Sequence, residues 1–140
     1  MRGRVVLAAA LLLAFPAAGA ARTSQQPLFE FGRGSGNIEP FTVQIRTDGT
    51  LESEGDVKLA KPQTRLTQAR LAALLNYARR QHFWSLATRT FCAGSLPDFA
   101  TNFVTIHAAG KTRTVRVRGG CVPRFTRIYD ALSAAATVKG

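Results

Sequence analysis

Two stretches of alternating apolar and polar residues, each with a glycine turn, constrain the fold of this chain most strongly. Residues 41–46 alternate ahead of Gly49, and residues 101–118 alternate on both sides of Gly110. A two-residue period is typical of a strand with one buried face, and a glycine between two such runs is typical of a hairpin. The sequence therefore predicts two antiparallel hairpins.

The turn chemistry of the first hairpin also predicts its register. A two-residue turn would place Ile45 opposite Glu52, whereas a three-residue loop with Gly49 in the left-handed region pairs Ile45 with Leu51. We expect the second register, because it pairs an apolar residue with an apolar residue.

In the second hairpin, a two-residue turn predicts that Val104 lies opposite Val115. Because successive strand residues point to opposite faces of a sheet, this register divides the hairpin into a core face and an outer face. The core face would hold Val104, Ile106, Val115 and Val117, and the outer face Phe103, Thr105, His107, Thr114, Arg116 and Arg118.

Each hairpin is followed by a helical pattern of apolar residues. Thr67 is suited to cap the first helix, and Pro123 is suited to the first turn of the second. The apolar faces comprise Leu71, Leu74, Leu75, Ala78 and His82 in the first helix and Phe125, Ile128, Tyr129, Leu132 and Ala136 in the second. This order predicts one α+β domain over residues 41–138, a four-stranded antiparallel sheet (ββαββα) with two helices packed on one face.

The N-terminal residues have the three parts of a secretory signal peptide. A charged start precedes eleven apolar residues at 5–15, and the small residues Ala18 and Ala20 precede a cleavage point. Eleven residues span about 16 Å as a helix, roughly half of a bilayer core, which disfavours a membrane anchor. We therefore expect that residues 1–20 are removed on export, to a periplasm or to the extracellular medium. Residues 21–40 are polar and glycine-rich, and we expect a flexible segment there.

Export decides how the two cysteines are interpreted. Cys92 and Cys121 are the only pair in the chain, and two cysteines in an oxidising compartment usually bond to each other. The pair lacks the close spacing and the histidines of a metal site. We expect a disulfide that stabilises the fold by about 3 to 4 kcal/mol.

Few side chains suit catalysis. His82 continues the apolar helix face, so we expect a packed core histidine there. His107 has no acidic neighbour in sequence, and no serine lies in the Gly-x-Ser-x-Gly turn of hydrolases. Glu52 and Glu54 share one strand face, where ion pairing with Arg46 is a simpler interpretation than acid–base catalysis. We expect no enzymatic activity, no cofactor and no metal site.

The strongest functional signal is basic. The formal charge is +11 at pH 7, which favours anionic partners or surfaces. The predicted anionic-binding face consists of Lys111, Arg113, Arg116, Arg118, Arg124 and Arg127. Phe103 could add a stacking surface beside it. Because no nucleic-acid motif is present, nucleic acid is not the expected partner.

Short segments along residues 40–136 combine turn, aromatic and cysteine positions: Ile45-Arg46-Thr47-Asp48-Gly49-Thr50, Phe83-Trp84-Ser85-Leu86, Cys92, Pro97-Asp98, Val104-Thr105-Ile106, Val115-Arg116-Val117 and Cys121-Val122-Pro123. In this combination the chain resembles a family of small exported bacterial domains of unknown function. The resemblance implies a similar domain with two hairpins, two helices and one disulfide, and it implies no catalytic residue.

The expected function is binding by a monomer, either to an envelope or extracellular protein or to an anionic surface polymer. Two alternatives stay open. One is an inhibitor-like module against an exported hydrolase, acting through the loop at residues 93–98. The other is a cell-envelope hydrolase with His107 as base, which requires a carboxylate or hydroxyl within hydrogen-bond reach of that histidine.

Overall fold

A computed structural model describes residues 26–60 and 65–137 of the chain. The predicted signal peptide, residues 1–20, lies outside the described residues. In chain order the elements are β1 Phe29–Gly34, β2 Phe41–Ile45, β3 Leu51–Gly55, α1 Gln68–Arg80, a 3₁₀ turn at Phe83–Ser85, β4 Arg89–Phe91, β5 Thr101–Ala108, β6 Lys111–Arg118 and α2 Pro123–Ala136.

The six strands form one mixed sheet in the order β3-β2-β1-β5-β6-β4. Strands β4 and β6 run parallel, and all other neighbours are antiparallel. The class is therefore α+β as expected, but the predicted four-stranded antiparallel sheet is wrong. Both extra strands were missed because β1 is rich in glycine and β4 has only three residues, so neither shows a clear alternating pattern.

Strand β1 lies in the centre of the sheet and joins the two predicted hairpins. Phe31 pairs with Val43 of β2 on one side and with Val104 of β5 on the other. Phe29 and Phe31 are almost completely buried. The expectation that residues 21–40 form a flexible segment is therefore wrong for β1, because its two phenylalanines belong to the core.

Gly32 of β1 is required by a close approach of the neighbouring strands. A Cβ at this position would lie 2.1 Å from the carbonyl oxygen of Phe41 and 3.1 Å from the ring of Phe103. Both distances are shorter than an ordinary van der Waals contact. A glycine, which looks like a flexible residue in the sequence, is therefore the residue that lets β1 pack tightly here.

The predicted registers of both hairpins are confirmed. Ile45 pairs with Leu51, and Val104 pairs with Val115. Gly49 adopts a φ of +83°, the left-handed conformation that the three-residue loop requires.

Helix α1 begins as predicted at Thr67, whose Oγ1 accepts a hydrogen bond from the Arg70 backbone N–H at 3.1 Å. It ends at Arg80, earlier than the apolar pattern indicated. His82 has a φ of +53° and is exposed, so the expectation of a packed core histidine is wrong. The chain turns out of the helix at this residue, and Phe83 enters the core instead.

One face of the sheet and the apolar faces of both helices form a single core. Its members include Phe29, Phe31, Val43, Ile45, Leu71, Leu74, Phe83, Val104, Ile106, Val115, Val117, Phe125, Ile128 and Leu132. Neither of the two described helices packs on the other face of the sheet, which we call the open face.

Candidate functional site

The open face of the sheet is divided by charge. We call the outward side chains of β1, β2 and β3 the acidic half, since they include Glu30, Glu52 and Glu54. We call the outward side chains of β5, β6 and β4 the basic half, since they include Arg116, Arg118 and Arg89. The strand registers define one row across the face, which runs Glu54, Thr42, Gly32, Phe103, Arg116 and Arg89.

A groove of about 440 Å³ lies mainly on the basic half and extends onto β1. Its lining combines three arginines, two phenylalanines and a few polar groups: Arg89, Arg116, Arg118, Phe91, Phe103, Glu30, Gly34, Ser35 and Thr101. We call it the arginine groove. Because its side chains come from four adjacent strands, the sheet fixes their spacing.

Phe91 is the exposed aromatic residue of the arginine groove. Its side chain is 55% exposed, which is unusual for a phenylalanine. The Cζ atoms of Arg118 and Arg89 lie 4.6 and 6.0 Å from its ring centroid. These cation–π contacts hold the ring between two guanidinium groups and leave much of it open to a ligand.

Polar groups line the remaining wall of the groove. Thr101 Oγ1 accepts hydrogen bonds from Ser35 Oγ at 3.1 Å and from Arg118 Nε at 3.3 Å. Glu30 accepts a hydrogen bond from the Gln44 side-chain amide at 3.0 Å. The groove therefore offers hydroxyl groups and one carboxylate beside its three cations.

The structure separates the six cations of the predicted anionic-binding face. Arg116 and Arg118 lie together in the arginine groove. Lys111 and Arg113 line a different pocket, of about 630 Å³, together with Trp84. Arg124 and Arg127 are exposed in the first turns of α2. The predicted patch is therefore not one surface, because alternate residues of β6 point to opposite faces of the sheet.

Arg113 has a structural role within the second pocket. It lies opposite Ile106 on the core side of the sheet, and its guanidinium donates a hydrogen bond to the carbonyl oxygen of Leu86. Its Nε is buried and has no hydrogen-bond partner among the described residues. Arg113 thus holds the segment after the 3₁₀ turn in place. For this reason we place the candidate site in the arginine groove and not in the second pocket.

Sequence reasoning missed Arg89 and Phe91. Both belong to β4, where Arg89 lies opposite Arg116 and Phe91 opposite Arg118. Because β4 has only three residues, its sequence is too short to be identified as a strand.

The acidic half contains one strong ion pair. Arg46 donates to both carboxylate oxygens of Glu52, at 2.9 and 2.7 Å, as expected from the sequence. This hydrogen bonding lowers the pKa of Glu52 and raises the pKa of Arg46. Hydrogen bonds from Thr50 lower the pKa of Asp48, with a smaller effect from the nearby charge of Arg65. All of these carboxylates therefore stay ionised near neutral pH.

The predicted disulfide between Cys92 and Cys121 is present. It connects the residue after β4 to the residue before the N-cap of α2, and the Cys121 N–H also donates to Cys92 Sγ at 3.0 Å. The disulfide therefore anchors β4, the strand that supplies Phe91 to the arginine groove.

The loop proposed for an inhibitor has a compact conformation. Within residues 93–98, Leu96 is exposed, and its carbonyl oxygen accepts a hydrogen bond from the Phe99 N–H at 3.0 Å. Ser95 Oγ donates to the Cys92 carbonyl oxygen. A protease active site binds an extended strand, so these turns do not favour the inhibitor hypothesis.

His107 lies on the open face next to a hydroxyl group. Its Nδ1 is 2.8 Å from Thr112 Oγ1, and these two residues are directly opposite each other on β5 and β6. No carboxylate of the described residues forms an ion pair with His107. Thr112 thus supplies the hydroxyl that the hydrolase alternative requires, but the contact is an ordinary cross-strand pair of polar residues. It lacks the acidic group that orients the histidine of a catalytic triad.

Within residues 26–60 and 65–137, no three His, Cys, Asp or Glu side chains are grouped so that they could hold a metal ion. No helix in these residues is long and apolar enough to cross a membrane. The chain matches no known protein family, and no curated protein or solved structure shows significant similarity to it. The resemblance to small exported bacterial domains therefore stays a prediction.

Proposed function

We propose that this protein is an exported, non-enzymatic binding module and that its arginine groove binds an acidic polysaccharide. The observation that carries the proposal is one groove that holds Arg89, Arg116 and Arg118 together with the exposed ring of Phe91, against which Arg89 and Arg118 pack. These side chains are not part of the hydrophobic core, since they lie on the face of the sheet opposite to both helices.

The arginines support recognition of carboxylate groups. A guanidinium presents its N–H donors in a planar fork that matches a carboxylate, and it stays charged at every physiological pH. Arg116 and Arg89 lie on neighbouring strands, about 4.8 Å apart. Two such groups can bind one carboxylate or two neighbouring ones on a repeating polymer.

Phe91 and Glu30 favour a sugar polymer over nucleic acid or polyphosphate. The ring of Phe91 offers an apolar surface on which the C–H face of a sugar can pack. Glu30 can accept hydrogen bonds from sugar hydroxyl groups, which polyphosphate and the phosphate backbone of nucleic acid do not offer. A uronic-acid polymer supplies both the carboxylates and the hydroxyl groups that this groove fits.

Export is part of the proposal. The sequence of residues 1–20 and the disulfide are both typical of a protein that crosses to an oxidising compartment. Intact mass spectrometry of the protein secreted by its own host should show a chain that begins near Ala21. A chain that retains Met1 would contradict export.

Calorimetric titration with polygalacturonate tests the ligand class, with neutral dextran as the control polymer. We expect binding of polygalacturonate and no binding of dextran. Arg116→Ala should weaken the affinity at least about tenfold, because a hydrogen bond to a charged group contributes roughly 1.5 to 3 kcal/mol. Arg124→Ala is the control variant, since it removes one positive charge from α2, outside the groove. It should change the affinity less than about twofold.

Two results would contradict the proposal. If polygalacturonate does not bind at low salt, the groove does not bind acidic polysaccharide, and an envelope or extracellular protein becomes the ligand to test on the open face. If polyphosphate binds as tightly as polygalacturonate at the same charge density, the groove does not select sugars.

A further inference from the structure

We infer that two copies of this chain associate through their open sheet faces, with the acidic half of one copy on the basic half of the other. The second copy would cover the arginine groove, so association and polymer binding would compete for the same face. The inference rests on the division of charge across the face and on the strand order.

The division of charge makes the face complementary to itself. Glu54 lies on the edge strand β3, and Arg89 lies on the opposite edge strand β4. Neither side chain has a salt-bridge partner among the described residues. Each half therefore carries unpaired charges of the sign that the other half would attract.

A two-fold axis parallel to the strands brings unlike halves together. When two copies face each other across such an axis, the strand order of the second copy is reversed relative to the first. Glu54 of one copy then faces Arg89 of the other, and Thr42 faces Arg116. An axis perpendicular to the strands would instead place acid on acid, so the charges select the first arrangement.

The size of the face predicts a weak dimer. Six strands spaced about 4.8 Å apart, with about five residues each, cover roughly 500 Å² per copy. The total of about 1,000 Å² is at the lower limit for a specific interface. The excess of positive charge also opposes association. We therefore expect a dimer that forms at about 100 µM and dissociates on dilution.

Two complementary variants test the arrangement by sedimentation velocity. The first, Thr42→Lys/Glu54→Lys, places lysines opposite Arg116 and Arg89 of the other copy. The second, Arg89→Glu/Arg116→Glu, places glutamates opposite Glu54 and Thr42 of the other copy. Each variant alone should self-associate at least tenfold more weakly than the wild type, because like charges then face each other. An equimolar mixture should form a heterodimer at least as tight as the wild-type dimer.

The mixture is its own control for folding, since two misfolded variants would not form a specific 1:1 complex. A wild-type protein that stays monomeric at several hundred micromolar would overturn the inference. It would also be overturned by a mixture that stays monomeric, or by variants that each dimerise like the wild type.

Discussion

The guanidinium of Arg118 lies over the ring of Phe91, with its Cζ 4.6 Å from the ring centroid. The two residues are direct neighbours on the parallel strands β4 and β6. This contact fixes the ring on the open face while more than half of the side chain stays exposed. An aromatic residue held by a cation in this way is ready to stack on a ligand at little entropic cost.

Replacement of Phe91 by alanine should weaken polygalacturonate binding about tenfold, because stacking on an aromatic ring contributes roughly 1 to 3 kcal/mol. Leu96→Ala is the matched control, since Leu96 is 56% exposed and Phe91 is 55% exposed. Calorimetry should detect the loss only for Phe91→Ala, while the melting temperatures of both variants stay close to that of the wild type. Equal losses of affinity would show that binding does not use the groove.

Replacement of Gly49 by alanine should lower the free energy of unfolding by about 3 kcal/mol or more. The backbone of Gly49 has a φ of +83°, which strains any other residue. A Cβ at this position would also lie 2.0 Å from the carbonyl oxygen of Leu66. Gly110→Ala is the matched control, because Gly110 has a φ of +70° but nothing within 4 Å of its Cβ position. Its cost should be about 1 to 2 kcal/mol, from backbone strain alone.

Urea denaturation of the two glycine variants separates the cost of the clash with Leu66 from the cost of backbone strain at a positive φ. The two variants should differ by at least about 1 kcal/mol. Equal destabilisation would mean that the backbone of Leu66, just before α1, does not contact Gly49 as described.

Removal of the disulfide should destabilise the domain by about 3 to 4 kcal/mol, the loop-closure entropy expected for the 29-residue separation of Cys92 and Cys121. The double variant Cys92→Ser/Cys121→Ser should denature at a lower urea concentration than the oxidised wild type. Reduction of the wild type with dithiothreitol should reproduce most of this shift. A reduced wild type as stable as the oxidised one would contradict the structural role of the disulfide.

Tyr129 should make the domain less stable at alkaline pH. Burial raises the pKa of Tyr129 to about 12, and its ring packs edge-on against Phe31 at 5.7 Å. Because the folded-state pKa exceeds the unfolded value of about 10, the contribution of this residue is complete below pH 10. It is lost as the pH rises through 12.

Thermal denaturation between pH 9 and pH 12 should therefore show a decrease in melting temperature that is smaller in Tyr129→Phe. The same decrease in both proteins would assign the alkaline sensitivity to other groups, such as the lysines.

The hairpins could be predicted because their registers depend on local turn chemistry. Ile45 pairs with Leu51 since Gly49 permits a three-residue loop, and both facts are visible within seven residues of sequence. The position of β1 could not be predicted in this way. Gly32 lowers the strand propensity of β1, and the reason for this glycine is the approach of Phe41 and Phe103 from two other strands.

The candidate site could be predicted only in part, for a related reason. Arg116 was placed correctly on the open face because its strand has a long alternating pattern. Arg113, three positions earlier, was grouped with it by proximity in sequence, although it lies on the other face of the sheet. Arg89 and Phe91 enter the groove through the parallel pairing of β4 with β6, a long-range contact that no local pattern encodes.

The most direct test of polymer recognition by the arginine groove is the salt dependence of polygalacturonate binding. The logarithm of the wild-type binding constant should fall linearly with the logarithm of the salt concentration, and Arg116→Ala and Arg118→Ala should each reduce the slope by about one. Arg124→Ala should leave the slope unchanged. A slope that Arg116→Ala and Arg118→Ala do not alter, or a wild type that binds no polygalacturonate even at low salt, would contradict the account.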